Sequence, residues 1–534
     1  MVGARFGRAA AVAVALALAG SDLDFRVLVT MAASSDLAGG LSPFRENRDL
    51  TPSGLQTSLA APQPGPAAAE RTTARYFASI RNNPPLLLAF LSAMPKGGDL
   101  HNHLSGSIYA ESYLRWAADD NLCVATATMS IVAGTCDAQA GRPPASAVIQ
   151  NAPLYSQAID AMSMRNWDPH VNGHDHFFAT FGKFGPPSSK IGEMLAEVAA
   201  RAAAEHVNYL ELLVTTDGGL STQNGAAAGW SNDFPRLREK LLGAGFADVV
   251  TASSKRLDEA EARERELLRC ATPQADAGCR VTLRYMWQVA RATPPEIVFA
   301  QMLAGFEIAS HDARVVGVNL VQPEDAPIAV RDFALHMKML AYLGTQYPRV
   351  PLSLHAGELA EGLVPPEAMR FHISESVRTA GARRIGHGTA VMYEDAAIAL
   401  LNEMAARRVL VEIALTSNDL ILGVKGARHP LRTYLKYRVP VALVTDDAGV
   451  SRSTMTLEYR KAADEEGLAY AALKQLARNS LEYSFADPAT KRRLRADLEA
   501  AYTAFEREMG TEKQPPRTQS SQKPRTLEPA NPER

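Results

Sequence analysis

The sequence predicts an α/β fold, a (β/α)8 TIM-type barrel with long insertions on its rim. Two observations predict it. Eight apolar runs of strand length, at 98–103, 207–215, 280–289, 315–320, 351–355, 383–387, 409–416 and 439–445, are each followed by helical pattern. That alternation builds a closed parallel sheet wrapped by helices. In addition, unusual polar residues gather at the C-terminal ends of these runs. His101 and His103 end the first, His355 and Glu358 the fifth, His387 the sixth, and Asp446 and Asp447 the eighth. In such barrels that rim carries the chemistry. Groups scattered at random would not choose one rim. A length of 534 residues fits one barrel with insertions, and 46% hydrophobic against 21% charged residues fits a large core.

From the N-terminus, Arg5 and Arg8 precede an apolar run, 9–19, that closes on Ala17-Leu18-Ala19 before Gly20. A charged start, a short apolar stretch and a small-residue cleavage site are the parts of an export signal. The run is too short to span a bilayer. Residues 1–19 are expected to be a signal peptide and the protein to be exported, periplasmic or secreted. A start at Met31 is the rival reading. Residues 20–70 read as a low-complexity linker, rich in Ser, Pro, Ala and Gly. The barrel domain is expected over 71–510. It opens with helix over 71–93, interrupted at Asn82-Asn83-Pro84-Pro85. Two connections are long, at 104–206 and 216–279, the second with an extended charged helix near 236–269. Excursions of this kind on a rim build lids or partner surfaces. The tail, 511–534, is expected to be disordered.

Four cysteines fall into two close pairs, Cys123 with Cys136 and Cys270 with Cys279. Two local disulfides in an oxidising compartment are expected, four unpaired thiols being the alternative. No C-x-x-C occurs, which argues against a cysteine zinc site. A net charge of −2 provides no basic field for nucleic acid or an anionic membrane. The one dense basic run, 491–495, reads as a solvated helix face.

His101-Asn102-His103 sets two imidazoles on one face of a strand, because side chains alternate. Turned into the barrel mouth, both can bind one Zn2+, with His355 as a third nitrogen and Asp446 as an oxygen ligand, leaving a position for water. Zinc lowers the pKa of such a water towards ~7. His387, between Gly386 and Gly388, can take the water proton or stabilise the attacking hydroxide. Gly357 permits the bend that lets His355 and Glu358 share a pocket despite strand parity. Parity would set Asp446 and Asp447 on opposite faces, one towards metal and one towards substrate.

These motifs carry a resemblance. Met94-Pro95-Lys96-Gly97 with Asp99-Leu100-His101-Asn102-His103, Leu354-His355-Ala356-Gly357-Glu358, Ile385-Gly386-His387-Gly388, Thr416-Ser417-Asn418 and Thr445-Asp446-Asp447 resemble, in order, those of the adenosine deaminase family. The opening motif and the signal peptide resemble its secreted, growth-factor-related branch. The resemblance implies a barrel of the metal-dependent amidohydrolase kind, with one Zn2+ per chain on His101, His103, His355 and Asp446. It implies replacement of a purine nucleoside's 6-amino group by oxygen, as in adenosine or deoxyadenosine to inosine plus ammonia. Glu358 would donate a proton to purine N1, His387 would orient the hydroxide, and Asp447 would bind the N7 side.

Three positions depart from the family pattern. Ser105 replaces an aspartate that holds the ribose in the intracellular branch. Gln322 aligns with a glycine whose N–H reaches purine N3, and Ala448 stands where many relatives have proline. Substrate-contact candidates are Ser105, Gly106, Gln322, Asp447, Trp167 and Phe178. Trp167 and the cluster Phe177, Phe178 and Phe181 can line a purine pocket or simply pack the core. The partner implied is a small purine nucleoside, with no nucleic acid and no stable membrane association, and homodimer formation stays open. The alternatives are another metal-dependent amidohydrolase, or a secreted binding or signalling protein whose barrel has lost catalysis.

Overall fold

Eight parallel strands carry the sequence-predicted runs with their ends trimmed. They are β1 (Gly97–His103), β2 (Val207–Val214), β3 (Thr282–Ala290), β4 (Val315–Val321), β5 (Ser353–Ala356), β6 (Arg384–His387), β7 (Leu410–Ile413) and β8 (Val441–Leu443). The structure, a computed structural model, describes residues 68–170 and 172–512, all within one unit, Pro64–Arg534. The expected signal peptide, nearly all of the expected linker and the tail beyond 512 lie outside the described residues.

The strands pair in parallel as β1-β2-β3-β4 and as β5-β6-β7-β8. Two parallel bridges join these halves, Val318 with Leu352 between β4 and β5, and Asn102 with Asp446 between β1 and the end of β8. The second seam carries the candidate ligands. Asp446 N–H donates to His101 O (2.9 Å), and His103 N–H donates to Asp446 O (3.0 Å). Closing the barrel therefore registers the two histidines against the aspartate through the backbone.

Apolar side chains fill the layer between strands and helices, but the barrel interior also holds a chain of ions. Arg384 pairs with Glu211 (2.5 Å) and Glu412 (2.6 Å), all three buried. Burial of unpaired charge is costly, so these groups stand or fall together.

The helix expected over 71–93 is interrupted where the sequence places the break, giving two helices, Ala68–Ile80 and Pro84–Ala93. Asn83 accepts from Leu86 N–H, and proline opens the second helix, where its missing N–H costs nothing. Phe90 of that helix packs edge-on to Tyr470 (5.8 Å) and Phe505 (5.1 Å), tying the described N-terminus to the C-terminal helices.

The extended helix expected near 236–269 is also two, Phe234–Gly243 and Ala247–Leu267. The break falls at Ala244-Gly245-Phe246, where Gly245 has φ +85°. Only glycine takes that conformation at little cost. The connection after β1 ends in its own crossover helix, Ile191–Ala204, so the inserted part is shorter than 104–206. It holds a hairpin, Cys123–Ala125 with Ser130–Val132, and the helix Gly173–Thr180. Both expected disulfides are present, Cys123–Cys136 and Cys270–Cys279. Among the described residues no helix is long and apolar enough to cross a membrane.

Candidate active site

His101 and His103 arrive on β1, His355 on β5, His387 on β6, and Asp446 and Asp447 just beyond β8. His101 Nε2 lies 3.0 Å from His355 Nε2 and 3.5 Å from Asp446 Oδ1. His103 Nε2 lies 3.3 Å from each of the same two groups. The remaining nitrogen of each ring has an oxygen beside it. His101 Nδ1 meets Glu412 Oε2 (2.8 Å), His103 Nδ1 meets Gln288 Oε1 (2.9 Å) and His355 Nδ1 meets Asn319 Oδ1 (3.0 Å). Those oxygens accept, so the hydrogens sit on Nδ1 and each Nε2 presents a lone pair. Asn319 is itself oriented by the backbone, since its Oδ1 also accepts from His355 N–H (3.0 Å).

Three nitrogen lone pairs and a carboxylate oxygen thus converge with no hydrogen among them. Asp446 Oδ1 is buried and has no hydrogen-bond partner among the described residues. A cation resolves this arrangement, and the three nitrogens and one oxygen suit zinc. Burial lowers His103 to about 4 and His355 well below its ordinary value, as suits neutral ligands, whereas His101 is raised, because its carboxylate partners Glu412 and Asp446 outweigh its burial.

His387 is arranged the opposite way. Asn418 Nδ2 lies 3.0 Å from its Nδ1, and an amide nitrogen only donates. The hydrogen of the neutral ring therefore sits on Nε2, which points into the site 3.6 Å from Glu358 Oε1. His387 Nε2 could join His101, His355 and Asp446 around an ion by distance alone, but in this tautomer it offers a donor.

The backbone reaches these positions through left-handed residues. Gly357 (φ +71°) makes the expected bend after β5, and His387 (φ +66°) and Asp446 (φ +60°) adopt the same region without being glycine. The turn at Asp446 brings Asp447 to the same cavity, so the two aspartates do not face opposite sides as parity suggests. Gly386 is needed for contact, because a Cβ there would lie 2.8 Å from His101 Cε1.

A cavity of about 420 Å³ opens beside these groups, lined by His103, Ser105, Gln322, Glu358, Asp446 and Asp447 among others. Phe177, Phe178 and Phe181 complete its wall. They come from the helix Gly173–Thr180 and the turn after it, so the insertion after β1 supplies the cavity's apolar side. His174 Nε2 anchors that helix to Asp325 Oδ1 (2.9 Å) in the loop after β4. Trp167 is not among the lining residues; it packs against Gly173 at the helix start. Gly106 lies under Asp447, where a Cβ would sit 1.6 Å from Asp447 Oδ1. Gln322 keeps φ +77°, the conformation a glycine takes freely, and turns its Oε1 to Ala292 N–H (2.9 Å). The departure at 322 therefore changes the side chain while the backbone path keeps the conformation expected of glycine.

Burial, then the charge of Asp446, raises Glu358 well above the carboxylate range. Asp447 is raised well above it by the same two causes. Glu324, which sequence reading did not single out, holds the loop carrying Glu358. Its carboxylate accepts from Gly357 N–H and Glu358 N–H, both at 2.9 Å, and meets His372 Nδ1 at 2.5 Å. Burial alone would raise Glu324, but His372, Arg291 and the Gly357 N–H hold it down at about 2. A depressed carboxylate stabilises the fold above its ordinary value and loses that contribution as pH falls towards about 2. Glu324→Gln is expected to cost about 3 kcal/mol at pH 7, the scale of a broken buried pair. The deficit should shrink between about pH 4.5 and about pH 2, read by denaturant titration across that range.

The fold is an eight-stranded parallel barrel that gathers imidazoles and carboxylates at the C-terminal ends of its strands, the rim where barrels of this class carry their chemistry. The chain belongs to the adenosine deaminase family, because residues 191–501 match the family model described as adenosine deaminase. The adenosine deaminase of Enterococcus faecalis is 36% identical over 154 residues, 29% of this chain and 42% of that protein. That of Salmonella typhi is 38% identical over 151 residues, 28% of this chain and again 42% of that protein. The chain thus matches less than half the length of these relatives. The N6-methyl-AMP deaminase of Arabidopsis thaliana is similar over 78% of this chain and 99% of its own, at 20% identity and a TM-score of 0.51. An amidohydrolase of Burkholderia ambifaria with bound zinc is similar over 79% and 94%, at 18% identity and a TM-score of 0.52. At such identities the likeness carries the fold.

Proposed function

We propose that the protein hydrolyses the exocyclic amine of a purine nucleoside, turning adenosine or deoxyadenosine into the inosine form plus ammonia. The C6–N bond breaks and a C6–O bond forms, with water as the second reactant. The observation that carries this reading is geometric: four acceptors converge on one point, one of them the orphaned Asp446 Oδ1, and the buried Glu358 carboxyl lines the same cavity 3.6 Å from His387 Nε2. His101, His103, His355 and Asp446 would hold one zinc ion per chain, which supplies a nucleophilic water at neutral pH.

The rest of the work falls to this chain's own groups. Glu358 holds a proton beside the cavity and delivers it to ring nitrogen N1, so that negative charge does not build on the purine. His387 Nε2–H offers a fixed donor to the reacting oxygen. Asp447 lines the cavity beside Asp446, and burial with the charge of Asp446 raises it well above its ordinary value, which favours the form that can donate towards N7. Phe177, Phe178 and Phe181 exclude water from the purine face.

The test is incubation of purified protein with adenosine, following absorbance and ammonia, with and without chelator. Ammonia matching adenosine loss, abolished by chelator and restored by zinc, supports the reading. No ammonia from any purine nucleoside would favour a barrel that only binds. A second reading rests on one observation. A cavity of about 640 Å³ shares Ser105 and Gln288 with the site and carries Lys190, Arg256 and Arg263 beside Glu193 and Glu259, with Arg263 paired to Glu193 and Lys190 to Asp120. Ser105 lacks the charge that an aspartate there would set against a phosphate. A 5′-nucleotide would use that space, as the name of the Arabidopsis protein suggests, and a kcat/KM for AMP above that for adenosine would select it.

Gly106→Ala tests the Asp447 contact. The added methyl has no room beside Asp447 Oδ1, so the carboxyl must shift. KM is expected to rise ~10-fold or more, the scale of a lost hydrogen bond to a strongly polar group, with metal content unchanged. Export, with cleavage after Ala19, remains part of the proposal, and N-terminal sequencing of secreted protein checks it.

A further inference from the structure

His387 differs from the other three imidazoles in presenting a hydrogen rather than a lone pair, and the cause lies two side chains away. Leu431 N–H donates to His429 Nδ1 at 3.1 Å. A backbone N–H has only one role, so Nδ1 of His429 is the bare nitrogen and its hydrogen sits on Nε2. That Nε2 lies 3.1 Å from Asn418 Oδ1, and Asn418 Nδ2 lies 3.0 Å from His387 Nδ1. Each link forces the polarity of the next. Leu431 N–H fixes His429, His429 fixes which way the Asn418 amide faces, and Asn418 fixes the tautomer of His387. His387, Asn418 and His429 are all buried. Burial lowers His429 to about 3, so the ring stays neutral and the chain of donors is not interrupted near pH 7.

Without a donor at 429, the Asn418 amide is free to rotate by half a turn. Its oxygen would then face His387 Nδ1, draw the hydrogen there and leave a lone pair on Nε2. A fifth acceptor would thus enter a cluster that already gathers four, at distances from which His387 can join His101, His355 and Asp446 around an ion. We propose that His429 is a positioning residue that acts through Asn418 to hold His387 in its Nε2–H form, keeping it a donor to the reacting oxygen and outside the metal's ligand set. The inference rests on the reading of His387 given under the proposed function, but its first test does not need activity.

The test uses the full chain labelled with 15N-histidine, with the His387 resonances assigned by their loss in His387→Gln. In the parent, His387 Nε2 is expected to resonate as a hydrogen-bearing nitrogen and Nδ1 as a bare one. Asn418→Asp replaces the donor by a group that only accepts, so the two should exchange. His429→Leu should give the exchanged form or a mixture, and His429→Gln, whose amide can still donate to Asn418, should restore the parent pattern. In the deaminase assay Asn418→Asp and His429→Leu should lower kcat about 10–100-fold with little change in KM, the scale of lost supporting contacts, and His429→Gln should recover most of it. If His429→Leu keeps the hydrogen on Nε2, the proposal fails, whatever the activity and whatever Asn418→Asp does. If the tautomer exchanges but the parent deaminates no purine, the positioning role stands and the functional reading falls.

Discussion

Replacing His103 with alanine is expected to remove bound metal and turnover together, lowering metal affinity by at least ~100-fold. The bound rests on a comparison. Losing a group that merely supports a ligand costs about 10–100-fold, and His103 is assigned as a ligand itself. Its Nε2 lies 3.3 Å from both His355 Nε2 and Asp446 Oδ1, and Gln288 holds its hydrogen on the far nitrogen. Alanine leaves two imidazoles and one carboxylate, which hold an ion poorly. Metal content after dialysis measures this directly. A second readout is thermal. An ion at a hundred times its Kd adds about 2.7 kcal/mol to stability. Chelator should therefore lower the parent's Tm and leave that of His103→Ala unchanged. His387→Gln is the contrast and should keep its metal, because Nε2 of His387 carries a hydrogen. Full occupancy in His103→Ala with loss in His387→Gln would instead give the ion to His101, His355, His387 and Asp446.

How much of this was legible follows from what kind of signal each feature leaves in a sequence. The strands were, because each is a run of strand length followed by helical pattern, and four of them, β1, β5, β6 and β8, are closed by residues that no core would choose. The residues that end those runs were for the same reason. Glu412, Asn319 and Gln288, which set the tautomers of the three histidines, were not singled out, although Glu412 and Asn319 are each the one polar residue of an apolar strand; Gln288 shares its strand with Thr282 and Arg284. A lone polar residue inside a strand has no local reason to be there, and that was the available signal. Glu324 and His429 leave no such trace. They sit in loops rich in polar residues, and only the closed barrel brings them to Glu358 and Asn418. Strand parity misled at Asp446 and Asp447, since a left-handed φ in a residue other than glycine is invisible to pattern. The long helix near 236–269 failed for a visible cause, Gly245, whose left-handed backbone breaks the element.

Glu358→Gln is expected to cut turnover by at least ~100-fold, the lower end of what a positioned acid contributes. The group's setting dictates the result. Glu358 is buried, follows the bend at Gly357, and its backbone N–H is held by Glu324 at 2.9 Å. Burial and the charge of Asp446 raise its pKa well above the carboxylate range, so the acid form persists where an exposed glutamate would have lost its proton. Glutamine keeps the shape and can still donate a hydrogen bond to N1, but it has no proton to transfer. Zinc content and binding of ground-state analogues should stay near the parent's, which separates this variant from His103→Ala. The pH profile adds a sign. Because the acid form works, the parent's rate should fall as pH rises through the raised value, and that alkaline limb should vanish in Glu358→Gln. Turnover of adenosine at the parent rate by Glu358→Gln would sink the mechanism, since the proposal assigns proton delivery to N1 to this residue alone.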